Sequence, residues 1–480
     1  MSRENSEINY LAHDDRPSRG RAAGQAPDRR QGSGSVSYPG VKLAPKAARD
    51  ALARNLFPAD ESSARAVTLA GLVVVAAVVA AMRLGAQGMN TLWAEDGQVF
   101  YQGAMHGWLP FVFFHSYRGY LHAGPRVVAA VAVLFPVKWA ASSIAIGDAI
   151  ALGLLAAVVY RASAVHIQNR WLRLIPALLI AACPTGSETV GSIANLQWFL
   201  FFAAFVVLLW NPQRPVPIAA GAVTVLFATM TSPFGLLLFP IAAARVFVFP
   251  RSRAAVIPLC ALAGTGIQTF IIATTTGRKT YDTILVGKLA NLFIVNVAGQ
   301  GFFGTRHHAA WAALGTGVLV VTGLAWVLIA VMGVQRQFAV VSMALIYSIS
   351  FFAVPAVLGG ITVGQTVVNR YFAGPLLLMA FAVIVLLDGA LGRQNRFRWT
   401  EARRPVAAAL GAGLLVCLGY STVTSWHVSN PGRSMPTWSA ALDQARKHCS
   451  RGARRAAVPI TPIAPHDWHV ELTCAQIKQG

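Results

Sequence analysis

The sequence predicts an all-α polytopic membrane protein with about eleven transmembrane helices (ten to twelve), a cytoplasmic N-terminus and an extracytoplasmic C-terminus. Three observations support this prediction. Apolar residues make up 55% of the 480 positions and charged residues only 12%, roughly half the usual charged share. The mean hydropathy of +0.54 is sustained along most of the chain. Polar breaks rich in Lys and Arg separate apolar runs of membrane-spanning character. A water-soluble globular protein is therefore excluded.

The large positive charge does not require a nucleic-acid partner. The net charge is +22 and the pI is about 10.7. In a polytopic protein, Lys and Arg gather in cytoplasmic loops, where they fix topology beside anionic lipid. We therefore expect membrane lipid, and no nucleic acid, as the partner of the basic residues. The richness in Ala, Gly, Val and Arg is compatible with a multi-pass protein of a bacterial plasma membrane.

Residues 1–65 differ in composition from the body that follows. They are rich in Arg, Asp, Gly, Ser and Pro with little apolar clustering, which predicts a disordered cytoplasmic tail. In the body, 66–420, the basic residues assign the external loops to 84–139, 184–195, 275–309 and 360–371. The eleven runs predicted to cross the membrane are 66–82, 140–160, a short run ending at Cys183, 196–210, 216–230, 234–249, 254–274, 311–332, 338–359, 372–391 and 406–420.

The apolar stretch Val127–Pro136 has two interpretations. It can lie in the membrane interface, or it can be a twelfth crossing. We prefer the interfacial interpretation, because a crossing there would invert the assigned sides of every later loop.

The last 60 residues turn polar and contain two of the five cysteines. We predict that residues 421–480 form a small extracytoplasmic domain, and that a disulfide between Cys449 and Cys474 staples it. Two free thiols are the alternative. Cys183, Cys260 and Cys417 lie in apolar runs and are predicted to be ordinary buried thiols.

Carboxylates are scarce in the body, where only seven of the 18 acidic residues lie. Each is expensive near hydrocarbon and therefore needs a reason to be there. Glu95 and Asp96 form an adjacent pair between aromatic residues just after the first run. Partial desolvation raises carboxylate pKa values toward a range useful for taking a proton from a hydroxyl, so we predict that one of the two is catalytic. The alternatives are that the pair caps an interfacial helix or pairs with Arg118 or Arg126.

A second external segment, PTGSETVGSIANLQWF, contains Glu188 and Asn195 as candidate substrate-binding residues. Irregular polar backbone at this depth is tolerated where it is buried in protein or lines a wet cavity. An ordinary external turn is the alternative.

The candidate anion-binding residues on the same face are Arg278 and Lys279 in TTTGRKTYD, and Arg370 with Tyr371 in TVVNRYFAGP. Arg370 stands directly before the tenth run, at headgroup level, where a guanidinium can hold a phosphate bidentately. Snorkelling to a headgroup without a specific role is the alternative. His307 and His308 offer too few ligands for a metal site.

These features predict a membrane-level external pocket equipped for transfer from a lipid-linked phosphate donor. In order and sidedness, the chain resembles the GT-C superfamily of integral-membrane glycosyltransferases, which includes polyprenyl-phosphate-dependent mannosyl- and arabinosyltransferases. The segments that support the resemblance are WAEDG, YRGYLHAGPRVV, PTGSE with NLQW, and NRYFAGP, within about residues 66–420. The resemblance implies inverting transfer at the outer face, with Asp96 or Glu95 as general base, Glu188 assisting acceptor or metal binding, and Arg370 holding the donor phosphate.

The expected function is therefore transfer of a hexose or pentose from a polyprenyl-phosphate donor to a cell-envelope glycan or lipid acceptor. The alternatives are a transporter or flippase of lipid-linked sugars and a non-catalytic scaffold of envelope assembly. Neither external loop contains a D-x-D triplet, so we predict no metal site and no cofactor. A divalent cation remains the alternative.

Overall fold

The computed structural model describes residues 45–60, 65–107, 113–185, 189–275, 286–304, 310–331, 335–357, 362–363, 366–367, 370–391, 403–426, 437–462 and 467–479. About 81% of the structure is helical. The helices are α1 (Pro45–Asn55), α2 (Ala66–Met89), α3 (Gln102–His106), α4 (Ala123–Ala132), α5 (Ala140–Ala162), α6 (Arg170–Ala182), α7 (Leu196–Leu208), α8 (Pro215–Thr231), α9 (Phe239–Val248), α10 (Val256–Thr274), α11 (Val286–Leu292), α12 (Gly301–Phe303), α13 (Trp311–Val331), α14 (Gln335–Val357), α15 (Arg370–Leu391), α16 (Arg403–Thr424), α17 (Trp438–Cys449) and α18 (Cys474–Gln479).

Irregular helical turns and short strands connect these helices. The π-helical segments Asp96–Tyr101 and Phe293–Gln300 precede α3 and α12. The strands of the described residues pair two by two: β1 (Ala59–Asp60) is parallel to β2 (Asn211–Pro212), β3 (Thr362–Val363) is antiparallel to β4 (Thr366–Val367), and β5 (Arg455–Pro459) is antiparallel to β6 (His469–Thr473).

The chain is an all-α membrane protein, as the sequence predicts. Within the described ranges, six helices are long and apolar enough to cross a membrane: Ala66–Met89, Val137–Val165, Arg253–Thr274, Trp311–Leu328, Gln335–Pro355 and Arg370–Leu391. The other predicted runs also contain helices, α6 to α9 and α16. Helix α4 has ten residues and is therefore about 15 Å long, half of a hydrocarbon core of about 30 Å. Its length favours the interfacial interpretation of this stretch.

Two helices form the centre of the bundle. In the most apolar 18-residue stretch of α15, 94% is buried, against 22% in the corresponding stretch of α2. Helix α7 is also buried along its length, and the ring of its Phe201 stacks on Phe351 of α14 with centroids 3.8 Å apart. The N-terminal ends of α7 and α15 meet, because Trp198 contacts Tyr371. The two central helices therefore bring the second predicted external segment and the Arg370 segment together.

The outer helix α2 packs against α5 at a glycine. A Cβ on Gly153 would lie 2.5 Å from the backbone oxygen of Val73, so only glycine permits this approach of the two helix backbones. The opposite side of α2 exposes large apolar residues such as Val67 and Val74, as expected of a helix facing lipid.

Residues 45–60, which the sequence assigns to the tail, form a helix and a short strand that pack on the body. Helix α1 docks on the body, with Arg49 Nε donating to the Val248 carbonyl over 2.9 Å. Strand β1 pairs with β2, and the buried Asp60 carboxylate forms an ion pair with Arg161. The composition of the tail does not indicate this packing, because the partner that stabilises Asp60 lies about a hundred positions away in the sequence. Residues 1–44 lie outside the described part of the chain.

The C-terminal segment folds against the first of the predicted external loops. Helix α17, strands β5 and β6, and α18 form one unit, in which Cys449 and Cys474 are joined by a disulfide with Cα atoms 5.6 Å apart. The Ala94 amide donates to the Thr461 carbonyl over 2.6 Å, and the Thr461 amide donates to Leu92 over 3.1 Å. The segment that contains the acidic pair is thus held on one side by the C-terminal unit.

Candidate functional site

Asp96 is completely buried and its carboxylate is occupied. One oxygen accepts the Ala194 amide over 2.9 Å, and the other accepts the Ile193 amide over 3.1 Å. Burial raises the pKa of Asp96 well above its ordinary value, although the hydrogen bond from Ala194 opposes this shift. Asp96 therefore caps the turn Ile193–Asn195 that leads into α7.

Glu95 lies on a different side of the same turn of helix. Its side chain is half-buried, and its charge acts on a turn formed by residues 117–120. Burial raises the pKa values of Tyr117 and Tyr120, and the nearby Glu95 carboxylate raises both further. Only one carboxylate of the acidic pair therefore remains available at the surface of the site, and it is Glu95.

The turn opposite Glu95 has an unusual backbone. The amides and carbonyls of Tyr117 and Tyr120 hydrogen-bond reciprocally over 3.0 and 3.3 Å, with Arg118 (φ 53°) and Gly119 (φ 86°) at the tip. Positive φ at both central residues defines a tight hairpin turn in which a glycine is expected and an arginine is uncommon. The turn thereby presents the exposed Arg118 side chain beside Glu95.

A hydrogen bond to Tyr117 fixes the Arg118 side chain, and its guanidinium stays positively charged. Its Nε donates to the Tyr117 hydroxyl over 3.1 Å. Partial desolvation of the guanidinium acts to lower the pKa of Arg118, but the hydrogen bond to Tyr117 and the Glu95 carboxylate outweigh this effect and raise it. The sequence does contain a signal for this turn, because Tyr-Arg-Gly-Tyr has glycine where a two-residue hairpin requires it.

Arg370 and Tyr371, at the N-terminal end of α15, lie near the turn formed by residues 117–120. Tyr371 contacts the edge of the Trp198 ring, with centroids 5.0 Å apart, and the Arg370 guanidinium lies over the Tyr371 ring. Tyr371 further raises the pKa of Tyr120, whereas Arg118 and Arg370 lower it. Tyr120 is therefore the point at which the Glu95 side and the α15 side of the site meet.

Asn195 fixes the orientation of the Trp198 ring that contacts Tyr371. Its side chain is 4% exposed and accepts the Trp198 indole N–H over 3.2 Å, while its amide nitrogen donates to Ser192 over 3.1 Å. The predicted substrate-binding residue Asn195 thus positions the Trp198 ring against Tyr371. We name the group Glu95, Arg118, Tyr120, Arg370 and Tyr371 the loop site.

The other sequence candidates are not among the positions described. The gaps between the described ranges contain Glu188, Arg278, Lys279, His307 and His308. Among the described residues, no group of three or more His, Cys, Asp and Glu side chains could hold a metal ion.

His122 was not singled out by the sequence and lies directly behind the loop site. Its ring stacks on Tyr120 with centroids 4.2 Å apart and is 4% exposed. Burial, followed by the charge of Arg126, lowers the pKa of His122 to about 3. The imidazole is therefore neutral at physiological pH and serves as a packing surface for Tyr120.

The fold and the site together define a multi-pass α-helical membrane protein with a charged and aromatic cluster at one end of its helices. No model of a known protein family matches the chain, and no curated protein matches it.

Proposed function

We propose that the protein is an inverting glycosyltransferase that moves a sugar from a polyprenyl-phosphate donor to a cell-envelope glycan or lipid acceptor. The observation that supports this proposal most is the loop site itself. It combines a half-buried carboxylate, Glu95, with two guanidinium groups, Arg118 and Arg370, at the end of the membrane helices. A lipid-linked donor would bring its phosphate to this depth.

The chemistry requires one base and one site for the leaving phosphate. The Glu95 carboxylate takes the proton of the acceptor hydroxyl, and the oxygen attacks the anomeric carbon from the face opposite the phosphate. The new glycosidic bond forms as the bond between carbon and phosphate oxygen breaks. The released polyprenyl phosphate keeps the electron pair, and Arg118 and Arg370 stabilise its charge. Configuration at the anomeric carbon is inverted.

Glu95 is assigned as the base in preference to Asp96. The Asp96 carboxylate is 0% exposed and both of its oxygens accept backbone amides, so an acceptor hydroxyl could reach it only if the turn at Ile193 opened. We assign Asp96 the task of fixing the second external segment to the first.

The two carboxylates within the predicted spans support transfer over translocation. Asp148 accepts the Gly191 amide over 2.7 Å, and Asp388 accepts the amides of Gln168 and Asn169 over 2.8 and 2.9 Å. Both carboxylates therefore hold connecting segments against the helices. A transporter or flippase would be expected to use such rare charges along a path through the membrane.

We also propose the topology on which this function depends: eleven spans, a cytoplasmic N-terminus, an extracytoplasmic C-terminus and a bacterial plasma membrane location. The contact of the C-terminal unit with the first external loop supports one part of it, because segments that touch, such as Leu92 and Thr461, must lie on the same side of the bilayer.

The decisive experiment is transfer from a radiolabelled polyprenyl-phosphate sugar by membranes carrying Glu95→Gln. We expect loss of turnover of about a hundredfold or more, the usual contribution of a general base, at unchanged protein level. Asp443→Asn is the matched control, since Asp443 is an exposed carboxylate of the C-terminal unit. Full activity of Glu95→Gln would refute the assignment of the base. Absence of transfer by the wild-type protein, together with flipping of labelled lipid, would favour the transporter alternative.

A further inference from the structure

A cavity of about 760 Å³ opens beside the loop site, between the first external loop and the C-terminal unit. We name it the interface cavity. One wall comes from the π-helical segment Asp96–Tyr101 and α3, with Gln98 and Gln102, and the other comes from β5 and β6, with Trp468 and Glu471. The Glu471 amide donates to the Gln102 side chain over 3.2 Å and ties the two walls together. The volume is typical of a small-ligand site.

The lining is suited to a saccharide. Gln98, Gln102 and Glu471 provide planar side-chain groups that can bond to pairs of hydroxyls, and Trp468 provides a large aromatic surface for the apolar face of a sugar ring. The Gln98 Oε1 atom is buried and has no hydrogen-bond partner among the described residues. A buried acceptor without a partner is rare in folded proteins, and a ligand hydroxyl would satisfy it.

The same cavity contains a buried positive charge. Arg126 lines it and is only 3% exposed. Its Nη2 donates to the His115 carbonyl over 2.8 Å, its guanidinium lies over the Phe100 ring, and its Nε has no hydrogen-bond partner in the described structure. No described carboxylate lies within ion-pair distance of it. A buried guanidinium without an anion is costly, which indicates that the ligand supplies one.

Tyr117 links the cavity to the loop site. This side chain lines the cavity and accepts the Arg118 hydrogen bond, so a ligand in the cavity ends beside the residue that faces Glu95. We infer that the interface cavity is the acceptor subsite and that the acceptor is a glycan carrying an anionic group, carboxylate or phosphate, which binds Arg126. This inference rests on the proposed function, since it names the acceptor class of the same site.

The test measures binding without donor. Titration calorimetry on the full-length protein in lipid nanodiscs compares trigalacturonate with α-1,4-linked galactotriose, two probes that differ only at C6, which is a carboxylate in the first and a hydroxymethyl group in the second. The wild-type protein is expected to bind trigalacturonate on the order of tenfold more tightly or better, as expected for hydrogen bonds to a charged group. Arg126→Gln is expected to remove this preference, whereas the control Asp443→Asn keeps it.

A second variant guards against misfolding of Arg126→Gln. A Cβ on Gly103 meets only Arg126 Nη1, at 3.8 Å, so the backbone admits a side chain here, and Gly103→Leu is designed to place apolar atoms beside the guanidinium. It is expected to weaken binding of both probes. Equal binding of the two trisaccharides, or binding of neither, would overturn the inference. Undecaprenyl phosphate could also displace trigalacturonate from the wild-type protein but not bind Arg126→Gln. That result would make the interface cavity the donor subsite and would likewise overturn the inference.

The outcomes separate this inference from the proposed function. Selective binding of trigalacturonate with full transfer activity in Glu95→Gln would retain the subsite and reject the base. Loss of transfer in Glu95→Gln without selective binding would retain the enzyme and reject the acidic acceptor.

Discussion

Replacing Asp96 by alanine should destabilise the protein, because this carboxylate joins two segments that are far apart in sequence. Its oxygens accept the Ile193 and Ala194 amides over 3.1 and 2.9 Å in a site with no solvent exposure. The alanine variant leaves both N–H groups buried without an acceptor. The asparagine variant retains an acceptor for one amide and turns its own NH₂ group toward the other.

The size of the effect follows from these two hydrogen bonds. A buried donor left without a partner costs about 1–3 kcal/mol, so Asp96→Ala should lose about 2–6 kcal/mol and Asp96→Asn about half of this. Folded-state stability should also depend on pH. Burial raises the folded-state pKa of Asp96 above the unfolded value, so the folded protein binds the proton more tightly. The resulting contribution of Asp96 to the free energy of unfolding is fully present below about pH 4 and is lost as the pH rises through the folded-state pKa.

The assay is thermal unfolding of the purified protein in mild detergent, followed by the loss of the monodisperse peak in gel filtration. Asp96→Ala should lower the midpoint temperature by several degrees, and Asp443→Ala, which removes an exposed carboxylate, should leave it unchanged. Across pH 5 to 8, the wild-type midpoint should fall further than that of Asp96→Asn, which cannot titrate. An Asp96→Ala protein as stable as the wild type would refute the proposed capping role.

Three further predictions concern packing, the tail and topology. Gly153→Leu should prevent the close approach of α5 and α2, where a Cβ already meets a backbone oxygen at 2.5 Å; its yield of folded protein should fall well below that of the wild type. Asp60→Asn should cost about 3 kcal/mol by removing the carboxylate charge of the buried ion pair with Arg161, and should expose residues 45–60 to limited proteolysis, whereas Asp50→Asn at an exposed position should not. From outside intact cells, Cys449 and Cys474 should react with a thiol reagent only after reduction; labelling confined to lysed cells would contradict the proposed topology.

The sequence was informative about the site only in part. It singled out Glu95, Arg370 and Tyr371, which the structure brings together around Tyr120. It could not separate Glu95 from Asp96, because adjacent residues differ only in what their side chains meet after folding. Arg118 was recognised merely as a possible ion-pair partner, since its role depends on a left-handed backbone at the tip of a turn.

The interface cavity had no sequence signal. Arg126 and Trp468 are separated by more than three hundred positions, and both line the cavity only because the C-terminal unit docks on the first external loop. The same docking explains why the short C-terminal segment is part of the candidate site.

The sequence by itself determined that this is an all-α membrane protein, because hydropathy is a local property and backbone groups in lipid must be hydrogen-bonded within each helix. The tertiary structure decided which of the rare charges are structural and which remain available for chemistry. Asp60, Asp96 and Asp388 bond to partners about a hundred or more positions away, whereas Glu95 stays at the surface of the site. The energy of a buried charge depends on the groups that surround it in space, and only folding supplies those groups.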